Sequence, residues 1–353
     1  MYASHRDACI LAKYSYELGL LLEQIYKSLG LENSVIAYRR LGKANYHFSA
    51  DAAKSAMDLS PCMVLCFDIT GFFDNLDHKI LKSRLKEILS VTEIPDDWYK
   101  VFRHVTAYRK IERADLSAHP DLALRMKSLA KEPVATIADV KSLGIKIHEN
   151  PNDYGIPQGT PISSSFSNLY MLHVDLALKN ACSEYGALYQ RYSDDIIIIC
   201  KPDAESKLTA LLMGCIAHHK LIIQPEKCEQ ILFDALNPKS FQYLGFDVSP
   251  KGAVIRASSL SKQWRKLRKN IAKAKKHGGD RLASGSGSKI FTKKLRRKFY
   301  PIGVRNFSRY GRRSAASFES SQIRQQLIKL EREADRAIRD LNPKGSPPKL
   351  VLP

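Results

Sequence analysis

Residues 191–200 read Arg-Tyr-Ser-Asp-Asp-Ile-Ile-Ile-Ile-Cys and place two adjacent acids, Asp194 and Asp195, directly before an unbroken apolar run. A run of β-branched residues is typical of a strand that is buried on both faces. Residues 187–192 are also strand-like, and a two-residue connection predicts a hairpin with the acids at its tip. Asp is common in ordinary turns. Two neighbouring carboxylates repel each other, however, so we expect a cation to neutralise them.

A second apolar strand, at 63–67, also ends in an acid, Asp68. Two buried strands that each deliver a carboxylate can hold two divalent ions about 4 Å apart, an arrangement that suits in-line phosphoryl transfer. Oxygen ligands favour Mg²⁺, so we expect two Mg²⁺ ions, with Mn²⁺ as a substitute. The candidate ligands are the carboxylates of Asp68, Asp194 and Asp195.

Three motifs, in this order along the chain, resemble those of reverse transcriptases. Residues 67–74 (Phe-Asp-Ile-Thr-Gly-Phe-Phe-Asp) resemble the first palm motif, and residues 155–164 (Gly-Ile-Pro-Gln-Gly-Thr-Pro-Ile-Ser-Ser) resemble the Pro-Gln-Gly motif beneath the nascent base pair. Residues 192–195 resemble the Tyr-x-Asp-Asp motif, with Ser193 where Ala is usual. A lone Tyr-x-Asp-Asp would be weak evidence, whereas three motifs in order are specific.

The resemblance implies an α/β (α+β) right-hand polymerase, with fingers, a palm built on an antiparallel sheet backed by helices, and an α-helical thumb. We expect an N-terminal helix and fingers in residues 1–60 and the palm in 61–257, with a fingers insertion at about 90–150. The thumb is expected in 258–341 and a flexible tail in 342–353.

The resemblance also implies a catalytic set. Asp68, Asp194 and Asp195 would bind the metal ions, together with the carbonyl oxygen of Ile69. Lys227, in a later palm motif, would protonate or screen the leaving pyrophosphate. A solvated lysine is an equally good interpretation of Lys227.

The resemblance implies nucleotide contacts from residues before and after Asp68 in the chain. Either arginine of a basic loop, with the lysine that follows, would grip the triphosphate, although a solvated basic loop is the alternative. An aromatic residue five positions after Asp68 would exclude a ribose 2′-hydroxyl and select dNTPs, with core packing as the alternative. The predicted nucleotide-binding residues are Arg39, Arg40, Lys43, Phe73, Gln158 and Gly159.

A Tyr-Leu-Gly-Phe segment resembles the hairpin that grips the primer end, which implies primer contacts from Tyr243, Leu244 and Gly245. Beyond it, cations crowd three predicted helices, and the first two are separated by linker-like residues at 278–279 and 284–288. Phosphate contacts from such helices would bind duplex without reading its sequence. The predicted nucleic-acid-binding thumb residues are Arg265, Lys269, Arg296 and Arg297.

The charge balance also indicates a polyanionic partner. Lys and Arg total 56 against 36 Asp and Glu, a net charge of +20, for which nucleic acid is the natural partner. A membrane surface is disfavoured, because no long basic amphipathic helix with an aromatic face and no spanning segment is visible. Seven scattered cysteines fit reduced thiols. We therefore expect a cytoplasmic protein with no membrane partner.

The sequence thus predicts an RNA-directed DNA polymerase that adds dNTPs to a primer 3′-hydroxyl. No endonuclease, ribonuclease H or integrase module is visible, and the motifs resemble bacterial antiviral-defence reverse transcriptases, with a structured non-coding RNA as the expected template. The alternatives are a retron enzyme that makes RNA-linked DNA, template-independent synthesis by the same site, and an inactive palm that binds RNA. A partner protein or a homo-oligomer is compatible with each.

Overall fold

The computed structural model describes residues 3–128, 133–236, 239–302 and 306–342. Within these ranges the strands are β1 Cys62–Asp68, β2 Arg109–Lys110, β3 His148–Glu149, β4 Leu188–Tyr192, β5 Asp195–Cys200, β6 Glu229–Phe233, β7 Phe241–Tyr243, β8 Phe246–Ser249 and β9 Gly252–Ile255. The helices are α1 His5–Leu29, α2 Asn45–Leu59, α3 His78–Ile88, α4 Asp96–Thr106, α5 Arg113–Ser117, α6 Pro120–Lys127, α7 Ile137–Ser142, α8 Ser163–Glu184, α9 Glu205–His218, α10 Ala257–Ala283, α11 Lys293–Phe299, α12 Phe307–Ser317 and α13 Ser321–Arg339. None of the helices in these ranges combines the length and apolar character needed to cross a bilayer.

The central sheet has the strand order β4-β5-β1-β6, and all neighbouring strands are antiparallel. Its two middle strands are the apolar runs on which the sequence prediction rests. Side chains alternate between faces, so Leu65 and Ile198 pack with α1, α3, α8 and α9. Val64 and Ile197 point to the opposite face and pack with α2, β7–β9, α12 and α13. The sheet is therefore buried on both sides, as an unbroken apolar pattern requires.

Local signals in the sequence fix the helices that back the sheet. In α1, Leu11, Leu18 and other apolar residues at helical spacing are buried. The helix begins after Ser4, which accepts a hydrogen bond from the Asp7 amide, and ends at Gly30 in the left-handed conformation. The Asp77 side chain caps α3 by accepting hydrogen bonds from the Lys79 and Ile80 amides.

The predicted insertion contains two kinds of structure. Helix α4 packs on α1, and the Trp98 and Tyr14 rings meet edge to face at 4.8 Å between centroids. The residues after it form the β2–β3 pair and α5–α7, which enclose a small core of Leu122, Val140 and Ile145. The predicted bounds of about 90–150 stay a prediction.

Four helices, and not the three predicted, follow β9 in the described ranges. Helix α10 continues through Gly278 and Gly279, where the sequence suggests a linker. A Cβ at Gly278 would lie 2.6 Å from the Ile290 side chain, so glycine is needed for the returning chain to pack here. Ala315 and Ile323, on α12 and α13, belong to the core of the second palm face. Packing therefore continues across the predicted boundary at 258.

The three-stranded sheet β7-β8-β9 lies between the palm sheet and the last helix. The Gln326 side chain of α13 accepts a hydrogen bond from the Ile255 amide at 2.9 Å and donates one to the Ile255 carbonyl oxygen at 3.2 Å. A side-chain amide thus takes the place of a neighbouring strand at this end of β9.

The predicted flexible tail falls almost wholly outside the described residues. Asn342 is described, and its side chain exchanges two hydrogen bonds with the Ile290 backbone, at 2.9 and 2.8 Å. Residues 343–353 lie outside the described ranges.

Candidate active site

Asp68 and Asp195 are directly opposite each other in the antiparallel pairing of β1 and β5. Residues that are opposite in such a pair place their side chains on the same face, with Cβ atoms roughly 5 Å apart. Asp194 lies in the adjoining turn, and its carbonyl oxygen accepts a hydrogen bond from the Ile69 amide at 3.2 Å. The structure therefore brings the three predicted acids together at the ends of the two central strands.

The turn between β4 and β5 consists of Ser193 and Asp194, as predicted. Ser193 has a φ of +63°, a left-handed conformation that is uncommon for residues with a Cβ. Its side chain is buried, and its Oγ lies 3.0 Å from the Tyr38 hydroxyl oxygen. Its carbonyl oxygen accepts a hydrogen bond from Arg191 Nη1 at 2.9 Å. The tip is thus held by Tyr38, which is distant in the sequence, and by Arg191 of the adjoining strand β4.

The acids carry more negative charge than the surrounding residues balance. Partial burial, and then the charges of Asp194 and Asp68, raise the pKa of the Asp195 carboxyl to about 6. Lys227 Nζ donates to Asp68 Oδ2 at 2.9 Å, and this bond raises the pKa of the Lys227 ammonium. The Lys227 side chain is 57% exposed, so the pair contributes little stability and the ammonium can leave Asp68 for another anion.

The acids fit a metal site that the substrate would complete. No three His, Cys, Asp or Glu side chains in the described ranges form a cluster that could hold an ion by themselves. Mg²⁺ in phosphoryl transfer commonly takes one or two carboxylates together with substrate phosphates and water. Asp68 and Asp195 supply hard oxygen ligands of this kind at an open edge. The metal-binding roles of the acids and of the Ile69 carbonyl stay predictions.

The Pro-Gln-Gly loop packs against the turn that follows β1. The Gly155 amide donates to the Leu76 carbonyl oxygen at 2.9 Å, and the Ile156 amide donates to that of Phe73 at 2.8 Å. Gly155 has a φ of +86°, and a Cβ there would lie 2.8 Å from the Asp74 carbonyl oxygen. Glycine is therefore required at position 155 for the loop to approach so closely.

Phe73, Gln158 and Gly159 lie on these two joined segments. The Phe73 side chain is buried, and its ring centroid is 5.4 Å from that of Phe72 and 6.5 Å from that of Tyr38. Gly159 has a φ of +99°, which favours glycine. Tyr38 is half exposed beside the acids, and sequence reasoning missed it. The nucleotide-binding roles of the predicted residues stay predictions.

The sequence does not decide whether Arg39 or Arg40 would contact the triphosphate. In the structure the two arginines have different surroundings. Arg39 Nε and Nη2 donate to the two carboxylate oxygens of Glu23, at 2.7 and 2.6 Å, and Nη1 donates to two backbone carbonyl oxygens. Its side chain is only 4% exposed. Arg40 and Lys43 are exposed, and Lys43 pairs with Asp51 at 3.2 Å. The contacts of Arg39 indicate a packing role, which leaves Arg40 and Lys43 as the better candidates for a triphosphate.

A family model described as reverse transcriptase (RNA-dependent DNA polymerase) matches residues 22–248. The chain belongs to the reverse transcriptase family. The matched segment contains all three acids, the Pro-Gln-Gly loop, Lys227 and the β7–β8 turn, so the resemblance noted in the motifs is confirmed at the level of the family.

Solved telomerase structures share the fold of this reverse transcriptase. The telomerase of Candida albicans, in complex with the TWJ fragment of telomeric RNA, is 12% identical, with a TM-score of 0.50 over 92% of this chain and 54% of that one. The apo telomerase of Candida tropicalis is 14% identical, with a TM-score of 0.51 over 94% of this chain and 51% of that one. The chain spans about half the length of these structures. The likeness confirms the predicted polymerase fold. No curated protein matches the sequence.

The predicted primer-gripping hairpin of this reverse transcriptase is tied to α2. Leu244 and Gly245 form its two-residue turn, with φ values of +47° and +93°. Asn45 Nδ2 donates to the Leu244 carbonyl oxygen at 2.9 Å, and Ser49 Oγ donates to that of Tyr243 at 3.1 Å. Primer contact by this hairpin stays a prediction.

The predicted thumb residues lie on two helices. Arg265 and Lys269 are exposed one turn apart on α10, where Arg265 and Trp264 line a groove of about 600 Å³. Arg296 and Arg297 lie on α11, and Arg297 is exposed. The placement leaves Arg265, Lys269 and Arg297 accessible to a phosphate backbone, and the nucleic-acid role of all four stays a prediction.

Sequence reasoning also missed a buried ion pair next to the acids. The side chains of Arg191 and Asp175 are completely buried, and their closest oxygen and nitrogen atoms are 2.7 Å apart. The available signals were a cation within a segment that is typical of a buried strand, and an acid among the apolar residues of α8. Neither signal identifies the partner of the other residue.

Proposed function

We propose that the protein is an RNA-directed DNA polymerase that adds dNTPs to a primer 3′-hydroxyl by two-metal phosphoryl transfer. The observation that carries this proposal is the placement of Asp68 directly opposite Asp195, with Asp194 in the adjoining turn. Three acids held together destabilise one another unless they bind a cation. A palm that served only to bind RNA would have no need of this repulsion.

Two Mg²⁺ ions, when bound, would activate the attacking 3′-hydroxyl and stabilise the charge on the leaving pyrophosphate. Asp68 and Asp195 would hold them from neighbouring strands, and Asp194 would do so from the turn. Lys227, exposed and bonded to Asp68 at 2.9 Å, would move to the pyrophosphate, where it screens charge or donates a proton. The protein thus contributes mainly position and charge.

Residues around the acids would select the nucleotide. Arg40 and Lys43 would neutralise the triphosphate from the fingers. Phe73 would exclude a ribose 2′-hydroxyl, because its backbone is fixed by the Ile156 amide and its ring is packed between Phe72 and Tyr38. A ring that contacts two neighbouring rings is a suitable sugar gate.

The template we propose is a structured non-coding RNA, and the setting is anti-phage defence in the cytoplasm of a bacterium. Motif resemblance supports this assignment, and the net charge of +20 supports a nucleic-acid partner. Much of that charge lies in the helices after β9, where exposed residues such as Arg265 and Lys269 could follow a phosphate backbone.

The test is nucleotide incorporation on a primed RNA template with Mg²⁺, with each dNTP and NTP supplied separately. We expect incorporation of the dNTP that the template specifies, and its loss in Asp195→Asn. Asp203→Asn is the matched control, because Asp203 is exposed beyond the opposite end of β5 and should leave incorporation intact.

Other outcomes would redirect the proposal. Equal use of NTPs would contradict the role of Phe73, and incorporation that ignores the template would favour template-independent synthesis. A product covalently joined to RNA would favour a retron-type enzyme. Absence of incorporation, both by the protein alone and by protein purified with its cellular RNA, would contradict the polymerase function and favour an RNA-binding palm.

A further inference from the structure

The Arg191 side chain is completely buried next to the turn that carries the acids. Its Nε and Nη2 donate to the two carboxylate oxygens of Asp175, each at 2.7 Å, and its Nη1 donates to the Ser193 carbonyl oxygen at 2.9 Å. Nη2 also donates to Asn168 Oδ1 at 3.3 Å. One guanidinium therefore joins α8, which provides Asp175 and Asn168, to the turn between β4 and β5.

The backbone of the same residue holds the start of the fingers. Residues 34–36 exchange two backbone hydrogen bonds with Arg191, at 2.7 and 3.0 Å. Asn168, which contacts the guanidinium, also donates to the Ala37 carbonyl oxygen at 3.0 Å. Arg191 thus connects the acids to the segment that leads into the predicted triphosphate-binding loop.

A buried ion pair is weak evidence for stability, because the cost of removing both charges from water can exceed their attraction. The pair does supply geometry. A bidentate contact with Asp175 fixes the plane of the guanidinium and so the direction in which Nη1 points. That direction matters because Ser193, at a φ of +63°, is in a conformation that surrounding contacts must maintain.

We propose that Arg191, oriented by Asp175, is a positioning residue that holds the turn so that Asp194 and Asp195 stay aligned with Asp68. The inference rests on the proposed two-metal function of these acids. If the turn loosens, metal binding weakens and the Ile69 amide, which donates to the Asp194 carbonyl oxygen, opens more often.

The test is Arg191→Lys. Lysine keeps the positive charge but lacks the planar guanidinium with its several donors. It therefore cannot donate to both carboxylate oxygens of Asp175 and also to the Ser193 carbonyl oxygen. We expect the Mg²⁺ concentration for half-maximal incorporation to rise about tenfold or more, as for other residues that orient metal ligands. The KM for primer–template should not change. Amide hydrogen exchange in residues 66–70, measured without metal or substrate, should accelerate.

Arg312→Lys is the matched control. Arg312 Nε and Nη2 donate to the two carboxylate oxygens of the fully buried Glu331, at 3.3 and 2.9 Å, between α12 and α13. The same chemical change therefore breaks a second bidentate pair that does not contact the turn. We expect it to lower the melting temperature without changing the Mg²⁺ half-saturation or the exchange of residues 66–70.

A folded Arg191→Lys variant with wild-type Mg²⁺ half-saturation and wild-type exchange would overturn the proposal, and so would equal changes in Arg312→Lys. If Arg191→Lys does not fold, the double variant Arg191→Met/Asp175→Leu removes both charges together and is measured in the same way. If the wild-type protein shows no incorporation, two measurements still decide whether Arg191 holds the turn. They are amide hydrogen exchange of residues 66–70 and direct Mn²⁺ binding by electron paramagnetic resonance. Failure of the polymerase function is therefore distinguishable from failure of this inference.

Discussion

Two hairpins among the described residues, β4–β5 and β7–β8, have two-residue turns that are held in different ways. In each turn a residue other than glycine has a positive φ, Ser193 between β4 and β5 and Leu244 between β7 and β8. The buried guanidinium of Arg191 holds the first turn, whereas the neutral side chains of Asn45 and Ser49 hold the second. The turn that carries acids is thus fixed by an ion pair, and the turn predicted to contact a primer is fixed by uncharged donors.

Each hairpin also contains an acid with a raised pKa. Burial and two neighbouring acids raise the pKa of Asp195, which lies at an open edge. Burial raises the pKa of Asp247 in β8, although Arg256 counteracts it, and its Oδ1 has no hydrogen-bond partner among the described residues. Ionisation is therefore costly at both carboxyls, beside two other acids at Asp195 and in a half-buried position at Asp247.

Asp68→Asn should have the largest effect. It removes a proposed ligand of both metal ions and the partner of Lys227, so we expect incorporation to fall by about 10³-fold or more. Steady-state incorporation at saturating Mg²⁺ measures the loss. Asp58→Asn, an exposed change at the end of α2, is the control, and a loss below about tenfold in Asp68→Asn would contradict a central role for this acid.

Asn45→Ala should have an intermediate effect, and this effect should be on primer–template binding. The variant loses the hydrogen bonds to the Leu244 carbonyl oxygen and the Tyr310 hydroxyl, which frees the second turn at a cost of about 1–2 kcal/mol. We expect the KM for primer–template to rise about threefold to tenfold. The Mg²⁺ half-saturation should stay constant. A change in Mg²⁺ dependence would show that the two hairpins are not independent.

Asp247→Asn should change stability in a pH-dependent way. The folded-state pKa lies above the unfolded value of about 3.9, so the native state binds this proton more tightly. Stability therefore falls as pH rises through the raised pKa, and the cost persists at neutral pH. The variant should melt about 2 °C or more above the wild type near pH 7.5. This gain should disappear near pH 4, and a gain independent of pH would refute the explanation.

Ser193→Ala should have the smallest effect. It removes the contact with the Tyr38 hydroxyl at 3.0 Å and leaves the Ser193 carbonyl available to Arg191. We expect a loss of about 0.5–1.5 kcal/mol in the free energy of unfolding and less than about a threefold change in incorporation. Chemical denaturation and the incorporation assay measure these quantities. A rise in the Mg²⁺ half-saturation as large as in Arg191→Lys would show that Tyr38 holds the turn as much as Arg191 does.

The sequence predicted the centre of the palm because its signals are local. Two apolar runs that each end beside an acid specify buried strands, and the two-residue connection specifies the hairpin. The position of Asp68 opposite Asp195 follows once those strands pair. Family membership and the polymerase fold were predicted from the same motifs and are confirmed.

The remaining features depend on contacts between distant residues. Nothing near Arg39 in the sequence indicates that its guanidinium pairs with Glu23. Likewise, nothing near Arg191 indicates that its partner is Asp175. Gly278 resembles a linker residue until Ile290 is placed against it. Periodicity and motif spacing describe one segment at a time, so they cannot identify which partner a buried charge or a packed glycine meets.

The contact of Gln326 with β9 has a consequence for self-association. An edge strand presents unpaired amide and carbonyl groups to which another chain can add a strand. Gln326 occupies both backbone groups of Ile255, so at this position the edge of the sheet is already filled. One glutamine on the last helix therefore blocks intermolecular strand addition at this position, beside the hairpin that is predicted to contact a primer.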